Sequence, residues 1–141
     1  MLKIVCEENP TPEDIQVLND GIMSFAKQQR DHKPFRPFGF FIRNDLNTVL
    51  GGCNGVILYG CLHIDSLWVS ETIRGMGYGK KLISNVEEVA IKNACPFMTV
   101  FTMDWEALDF YKKLGFYKEF ERHGYEKNSI FYFLRKDLLI T

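Results

Sequence analysis

Apolar residues recur along this chain with two different periods, and each period predicts one kind of element. Intervals of three and four residues, which give a helix one apolar face, occur in two segments. The first follows Thr11 and Pro12, a typical N-cap and first helical position, and the second runs from about Gly77 to Asn93. A third helix is predicted from an N-cap at Asp104 to the residue before Gly115, a natural helix terminator.

Short apolar runs bounded by turn residues predict strands. The predicted strands are Leu2 to Cys6, Phe38 to Arg43, Thr48 to Ile57, Cys61 to Val69, Phe97 to Thr102, Phe116 to Arg122 and Ser129 to Lys136. The element order is β-α-β-β-β-α-β-α-β-β, in which the central strand–helix–strand unit predicts one parallel pair inside a mostly antiparallel sheet. We therefore expect a mixed α/β fold (an α+β mixed sheet) in a single domain over residues 1–141.

Composition and charge disfavour several classes of protein. The chain has 141 residues, of which 46% are hydrophobic, enough to bury a core. Its 17 basic and 18 acidic residues disfavour a protein that neutralises nucleic-acid phosphates. No apolar run is long enough to span a membrane, and the first residues lack the apolar segment of a signal peptide. We therefore expect a cytoplasmic protein with neither a nucleic-acid nor a membrane partner.

Cysteine and aromatic residues refine this picture. The four cysteines form no Cys-x-x-Cys pair, and no histidine lies at a ligand spacing from them, which predicts that no metal is bound. The aromatic share of 14% is unusual. Composition alone leaves open whether these rings fill the core or line a pocket.

The most informative segment is 67–82, where a predicted strand ends, three glycines follow at alternate positions, and an amphipathic helix begins. Glycine lets the backbone approach a ligand closely, and the first N–H groups of a helix lack partners, so this segment predicts an anion site that fits a diphosphate. Arg74, Lys80 and Lys81 add positive charge. A Rossmann fingerprint does not fit, because Lys80 stands at its last glycine, and a P-loop does not fit, because Arg74 stands at its first.

Two motifs carry a resemblance to a known family. The segment Arg74-Gly75-Met76-Gly77-Tyr78-Gly79 resembles the [QR]-x-x-G-x-[GA] signature of the GNAT (Gcn5-related N-acetyltransferase) superfamily, and the strand Leu67-Trp68-Val69 precedes it as in that family. Further on, the segment from Ala107 to Phe116 is similar to the family's A-x-x-F-Y-x-K-x-G-F helix. The chain is thus identified as a small, bacterial-type, single-domain member, with a GNAT-like fold whose central parallel strands splay apart.

The resemblance implies acetyl-CoA as the cofactor, with CoA as the product and no metal. In the family, the strand before the glycine loop pairs through its backbone with the pantetheine arm, in the gap between the splayed strands. Asp104 stands where the family often has Asn, which leaves open whether its side chain contacts the cofactor or caps a helix. The residues implied to bind the cofactor are Leu67, Trp68, Val69, Arg74, Gly75, Met76, Gly77, Tyr78, Gly79, Lys80, Asp104, Ala107, Phe110, Tyr111 and Lys113.

The resemblance also implies catalytic roles. Tyr111 occupies the family's general-acid position, and the backbone N–H of Val69 is expected to contact the thioester oxygen. The general base stays open: every second residue from His63 to Val69 should lie on one face of its strand, which makes His63 one candidate, Asp65 the next and Glu71 a weaker one. A bulge in this strand would change which side chains face the cleft.

By the same analogy, the acceptor site lies between the first helical region with its loop and the last hairpin. Its expected residues are Phe35, Arg36, Phe38, Tyr125 and Glu126. This region holds more basic than acidic residues, which disfavours a highly cationic acceptor. The leading hypothesis is an enzyme that transfers an acetyl group from acetyl-CoA to a primary amine of a small molecule, by direct attack in a ternary complex.

Two other functions fit the same resemblance. One is a protein acetyltransferase that acts on N-termini or lysines. The other is a non-catalytic module that binds or senses acyl-CoA, in which Tyr111 and His63 are structural. Homodimers are frequent in the family, and an aromatic surface suits one, so a homodimer is also expected.

Overall fold

The computed structural model describes residues 1–138; residues 139–141, the end of the predicted domain, lie outside this part. The described chain forms two compact units, residues 1–35 and the residues from 36 onward. Each unit is built from its own local contacts.

The first unit contains the helix α1 (Pro12–Arg30), which begins where the sequence predicts. The hydroxyl oxygen of Thr11 accepts a hydrogen bond from the N–H of Asp14 at 3.2 Å, as an N-cap does. The helix ends at Asp31, which has a left-handed φ of 54° and donates its N–H to the carbonyl of Lys27 at 2.9 Å. Both ends of α1 are thus capped by backbone conformation and a specific bond.

The predicted strand from Leu2 to Cys6 is wrong. Within residues 1–138, none of the strand pairings includes these residues. A strand requires a neighbouring strand that pairs with its backbone groups, and a short apolar run does not show whether one is available.

The second unit is built on a six-stranded sheet. Its strands are β1 (Arg36–Arg43), β2 (Val49–Leu58), β3 (Cys61–Val69), β4 (Phe97–Met103), β5 (Tyr117–Arg122) and β6 (Phe131–Asp137). They lie in the order β1-β2-β3-β4-β6-β5. Among the described strands, β3 and β4 form the one parallel pair, which confirms the predicted mixed sheet.

Two α-helices accompany this sheet, α2 (Tyr78–Lys92) and α3 (Leu108–Lys113), and single 3-10 turns occur at Glu71–Ile73 and Glu126–Asn128. The predicted bounds of α2 are confirmed. The predicted start of α3 is wrong, because its N-cap is Ala107. Asp104 instead continues the edge of β4, where its N–H donates to the carbonyl of Ile130 at 2.9 Å.

The core lies between one face of the sheet and α2. Buried apolar side chains from β2, β3 and β4 pack there against four residues of α2, namely Leu82, Ile83, Val86 and Ala90. A fully buried aliphatic side chain of this kind contributes about 1.5–3 kcal/mol relative to an exposed one. The helix is therefore held with its N-terminus fixed relative to β3.

A bulge in β3 changes which of its side chains face this core. The ladder with β2 pairs Gly55 with Ile64 and Asn54 with Ser66, so Asp65 is an extra residue. Past this point Leu67 lies opposite Cys53, which shares a face with Gly55. Ile64 and Leu67 consequently lie on the same face, although three positions separate them.

The parallel pair is open at one end. Its ladder consists of Leu62–Met98, His63–Thr99 and Ile64–Val100, and then stops. Both strands continue, β3 to Val69 and β4 to Met103, without pairing with each other. A gap between two parallel strands, as the family resemblance implies, is therefore present in the sheet.

Candidate active site

The glycine loop places the N-terminus of α2 beside this gap. Gly75 and Gly77 have φ of +80° and +83°, a conformation that glycine adopts far more readily than other residues, and Gly77 is the N-cap of α2. Apart from the adjoining residues, a Cβ on either glycine would meet no atom of residues 1–138 within 4 Å, so the loop presents open backbone. No side chain in that part of the chain caps α2. The first N–H groups of the helix thus stay available to an anion.

A cleft of about 720 Å³ lies along this loop. It is lined by Leu67, Trp68, Val69, Ile73, Arg74, Gly75, Gly77, Tyr78, Gly79, Lys80, Trp105, Glu106, Ala107 and Phe110. Most of the residues predicted to bind the cofactor are therefore gathered in one place. Met76, Asp104, Tyr111 and Lys113 do not line the cleft, and Ile73, Trp105 and Glu106 were missed. The last two lie in the turn before α3, which the sequence pattern had assigned to the helix itself.

The backbone groups of Leu67 and Val69 face the gap. The N–H of Ser70 donates to the carbonyl of Leu50 on β2 at 2.7 Å, and backbone groups alternate in direction along a strand. Those of Val69 and Leu67 therefore point away from β2. The carbonyl of Val69 accepts a hydrogen bond from Nε of Arg74 at 2.8 Å, and the N–H of Val69 has no partner strand because the ladder with β4 ends at Ile64.

Arg74 is consequently a structural part of the loop. Besides bonding to Val69, its guanidinium lies 3.9 Å from the carboxylate of Glu71. Glu71, whose side chain is 89% exposed, does not line either cavity at the gap, so the site geometry gives the weakest base candidate no support.

A second cavity of about 270 Å³ occupies the gap itself. It is lined by Asp65, Ser66, Leu67, Val100, Phe101, Thr102, Glu106, Ala107 and Tyr111. Leu67, Glu106 and Ala107 border both cavities. The cleft along the glycine loop therefore leads directly to the opening between β3 and β4.

Tyr111 lines the gap cavity, and its hydroxyl is held in the protonated form. Its side chain is 4% exposed, and its ring packs against Phe110 and Phe116 at 5.2 and 5.4 Å. Burial, with smaller contributions from Cys53 and Glu106, raises the pKa of Tyr111 well above its usual value. No hydrogen bond joins its hydroxyl to another residue of the described chain, so the proton is not committed elsewhere.

His63 and Asp65 are close together. The sequence predicts that they share a face of β3 with Leu67 and Val69, but they do not. That prediction is wrong because the bulge at Asp65 reverses the alternation. Nδ1 of His63 lies 2.7 Å from the hydroxyl of Thr99, and Nε2 lies 3.8 Å from Oδ1 of Asp65. Asp65 lines the gap cavity, whereas His63 stands behind it.

Burial lowers the pKa of His63, and the charge of Asp65 opposes this shift only in part. The imidazole is therefore mostly neutral near pH 7 and able to accept a proton. Its Nε2 lies too far from Oδ1 of Asp65 for a hydrogen bond, so the two groups interact through their charges alone.

The predicted acceptor residues separate into two groups. Neither Arg36 nor Phe38 lines the cleft or the gap cavity. Arg36 pairs with Ile57, near the closed end of the parallel pair, and donates from Nη1 to Oδ1 of Asn93 at 2.9 Å. Phe38 packs on the core directly over Gly55, where a Cβ would lie 2.9 Å from its ring. The family analogy predicted the element on which Arg36 and Phe38 lie, but not their positions along that strand.

The other predicted acceptor residues differ in what the structure says of them. Tyr125 and Glu126 lie in the loop before β6, and Phe131 at the start of β6 pairs with Met103, so this loop is at the open end of β4. The ring of Tyr125 lies 5.5 Å from that of Phe131. Phe35 belongs to the first unit and is described only within it.

A cluster of aromatic rings on the other face of the sheet was not predicted. The ring centroids of contacting members lie 4.5–5.6 Å apart. The members are His63, Phe101, Phe120, Tyr125, Phe131 and Phe133. Phe101 also lines the gap cavity. Five of the 20 aromatic residues of the chain therefore lie in this cluster, and the aromatic run Phe131-Tyr132-Phe133 at the start of β6 was its signal in the sequence.

Two features are absent from residues 1–138. No group of three or more His, Cys, Asp or Glu side chains is placed to hold a metal ion. No helix of this part is long and apolar enough to cross a bilayer.

The open parallel pair, the glycine loop beside it and the protonated tyrosine at their junction define an acyltransferase. Residues 4–116 match the model of the acetyltransferase (GNAT) family. The chain is 33% identical to the acetyltransferase Atu2258 of Agrobacterium fabrum (strain C58 / ATCC 33970) over 103 residues, 73% of this chain and 75% of the relative. This chain belongs to the GNAT acetyltransferase family.

Other comparisons agree with this assignment. Blasticidin-S acetyltransferase of Streptomyces morookaense is 31% identical over 85 residues, 60% of this chain and 62% of the relative. A crystal structure from Agrobacterium tumefaciens, of a protein assigned as an acetyltransferase, matches 97% of this chain and all of its own with a TM-score of 0.84 and 28% identity. The fold is also shared with a protein of Bacillus anthracis str. Ames assigned as a streptothricin acetyltransferase and solved with acetyl coenzyme A. That match has a TM-score of 0.66 and 19% identity and covers 76% of this chain and 65% of the other.

Proposed function

We propose that this chain transfers the acetyl group of acetyl-CoA to a primary amine of a small molecule, by direct attack within a ternary complex. The observation that carries the proposal is the continuity of the two cavities. A cleft with an anion-binding helix start opens into a gap that is lined by a protonated tyrosine and by the carboxylates of Asp65 and Glu106.

The residues of the cleft fit acetyl-CoA in three respects. The open backbone at Gly75 and Gly77 suits a diphosphate, because a Cβ there would stand in otherwise empty space. Lys80 adds a positive charge in the same cleft. The N–H groups of Leu67 and Val69 suit the amide groups of a pantetheine arm, since they have no partner strand on that side.

Bound acetyl-CoA supplies the activated acyl group, and the chain's own residues supply the rest. The free N–H of Val69 is placed to stabilise negative charge that develops at the gap. Tyr111 holds a proton for the leaving thiolate, because burial keeps its hydroxyl protonated well above neutral pH. Asp65 lies in the gap cavity and serves as the group that takes the proton from the incoming ammonium, with His63 beside it as the second acceptor.

The surroundings of the gap support a small, weakly charged acceptor. The aromatic cluster offers apolar area, and two carboxylates, those of Asp65 and Glu106, line the gap cavity. A polycation would require several carboxylates. The relative named blasticidin-S acetyltransferase also carries an activity toward a small molecule, which supports the same class.

An amine panel with detection of the released thiol tests this proposal. The panel contains blasticidin S, lysine, phenethylamine, spermidine and a peptide with a free N-terminus, each with acetyl-CoA. Turnover of a small amine, absent in a Gly77→Val variant, is the expected result. Turnover of the peptide alone would make the chain a protein acetyltransferase. Tight acetyl-CoA binding by calorimetry without turnover of a wider amine set would make it a binding module.

A further inference from the structure

Asp104 forms a two-bonded pair with Ile130 at the end of β4. Its N–H donates to the carbonyl of Ile130 at 2.9 Å, and its Oδ1 accepts from the N–H of Ile130 at 3.0 Å. The last regular pair of the β4–β6 ladder is Met103 with Phe131. Asp104 therefore extends this ladder by one residue, with a carboxylate oxygen in the place of a main-chain acceptor.

The side chain is needed because the main chain turns away at this point. The N–H of Glu106 bonds to the carbonyl of Met103 at 3.0 Å, and the N–H of Met103 bonds back to Oε1 of Glu106 at 2.9 Å. The hydroxyl of Thr102 accepts from the N–H of Ala107 at 3.2 Å. These bonds close a tight turn into α3, so the N–H of Ile130 depends on the Asp104 side chain.

The loop that this pair holds has a strained backbone. Between residues 123 and 130, the two L-residues Lys127 and Asn128 have φ of 57° and 56°, whereas Gly124, with φ of 100°, adopts such a value without strain. L-residues rarely adopt that region, so the loop keeps its shape only where its ends are fixed. At its start the ring of Tyr125 packs on Phe131, and at its end Ile130 is bonded to Asp104.

We infer that Asp104 is a positioning residue for the acceptor side of the gap and not a ligand of the cofactor. It does not line the cleft along the glycine loop, whereas the loop that it holds carries Tyr125 and Glu126 at the open end of β4. The inference rests on the proposed acetyl transfer for its functional meaning. It differs from the role that the family resemblance suggested for this position.

Two variants separate the roles. Asp104→Asn keeps an oxygen acceptor for the N–H of Ile130, and Asp104→Ala removes it. In Asp104→Ala we expect amide hydrogen exchange at Ile130 to accelerate at least tenfold and tryptic cleavage after Lys127 to become faster. The Kd of acetyl-CoA, measured by calorimetry, stays within twofold in both variants, and Asp104→Asn restores the exchange rate of the unmodified chain.

Kinetics give the functional readout, with the panel amine that the unmodified chain acetylates fastest. We expect the KM of that amine to rise at least fivefold in Asp104→Ala while the KM of acetyl-CoA is unchanged, and Asp104→Asn to restore it. A tenfold weaker binding of acetyl-CoA with unchanged exchange at Ile130 would overturn the inference. If the unmodified chain binds no acetyl-CoA, the proposed function fails, while exchange and proteolysis still decide whether Asp104 holds the loop.

Discussion

Gly77 and Gly60 form a matched pair for testing the cleft. Both have φ of +83°, and at both a Cβ would meet no atom of residues 1–138 within 4 Å apart from those of the adjoining residues. Gly77 caps α2 in the cleft, whereas Gly60 lies in the tight turn between β2 and β3. An alanine therefore strains the backbone equally at the two positions but places a methyl group in the cleft only at Gly77.

The magnitudes follow from this geometry. A left-handed L-residue costs about 1–2 kcal/mol, because its Cβ approaches the following carbonyl oxygen. At an unfolding entropy of about 2.1 cal/mol/K per residue, either alanine lowers the Tm by about 3–7 °C. A hydrogen bond to a charged group is worth about 1.5–3 kcal/mol, so obstructing one at Gly77 raises the Kd of acetyl-CoA by about tenfold to 150-fold.

Differential scanning calorimetry measures the loss of Tm that the strain causes. Titration calorimetry measures the Kd of acetyl-CoA, which reports obstruction of the cleft. We expect similar losses of Tm in Gly77→Ala and Gly60→Ala, with weakened binding in the first variant alone. Equal Kd values for the two variants would refute the assignment of the glycine loop to the diphosphate. A far larger loss of Tm at Gly77 would instead show that the loop is packed and not open.

Three further outcomes are expected. Tyr111→Phe should lower kcat by about 10²-fold or more, as loss of a general acid does. The Tm should be unchanged or higher, because the hydroxyl has no partner within residues 1–138 to lose. Retention of kcat would exclude the acid role. Because burial lowers the pKa of His63, the unfolded chain binds more protons, so the unfolding free energy should fall as the pH drops below about 6.5. Urea titrations at several pH values should show that slope reduced in His63→Gln, and an unchanged slope would contradict the burial of this imidazole. Arg36→Ala loses an exposed hydrogen bond to Asn93 worth about 1 kcal/mol. Kinetics with the panel amine should show KM and kcat unchanged. A raised KM for that amine would show that Arg36 contributes to the acceptor site.

Local signals along the chain predicted most of the elements, because they depend on neighbouring residues. The cap at Thr11, the bounds of β3 and the face of α2 all follow from short-range patterns and are present in the structure. The glycine loop belongs to this group as well, since it joins a strand to a helix without any distant contact. The same holds for the position of Tyr111 on α3.

What the sequence did not predict depends on partners that are distant in the chain. Asp104 has the form of an N-cap until Ile130 is seen opposite it. The bulge at Asp65 breaks a period of two, although the interval of three between Ile64 and Leu67 was a sign of it. The place of Arg36 toward the closed end of the strand pair was not predicted, because the order of elements does not tell which end of a strand lies near the gap.

The open strand pair has a consequence for which substitutions this sequence can accumulate. On β3 the opening is bordered by main-chain groups of Leu67 and Val69, which every residue except proline can present. The side chains at these positions lie opposite Cys53 and Gly51 on the core face, so substitutions there are judged by volume and shape and not by chemistry. A ligand held through such groups depends on the direction of the main chain and not on the identity of the side chains. Binding there can outlast extensive divergence in sequence, and proline is the one residue that both positions exclude outright.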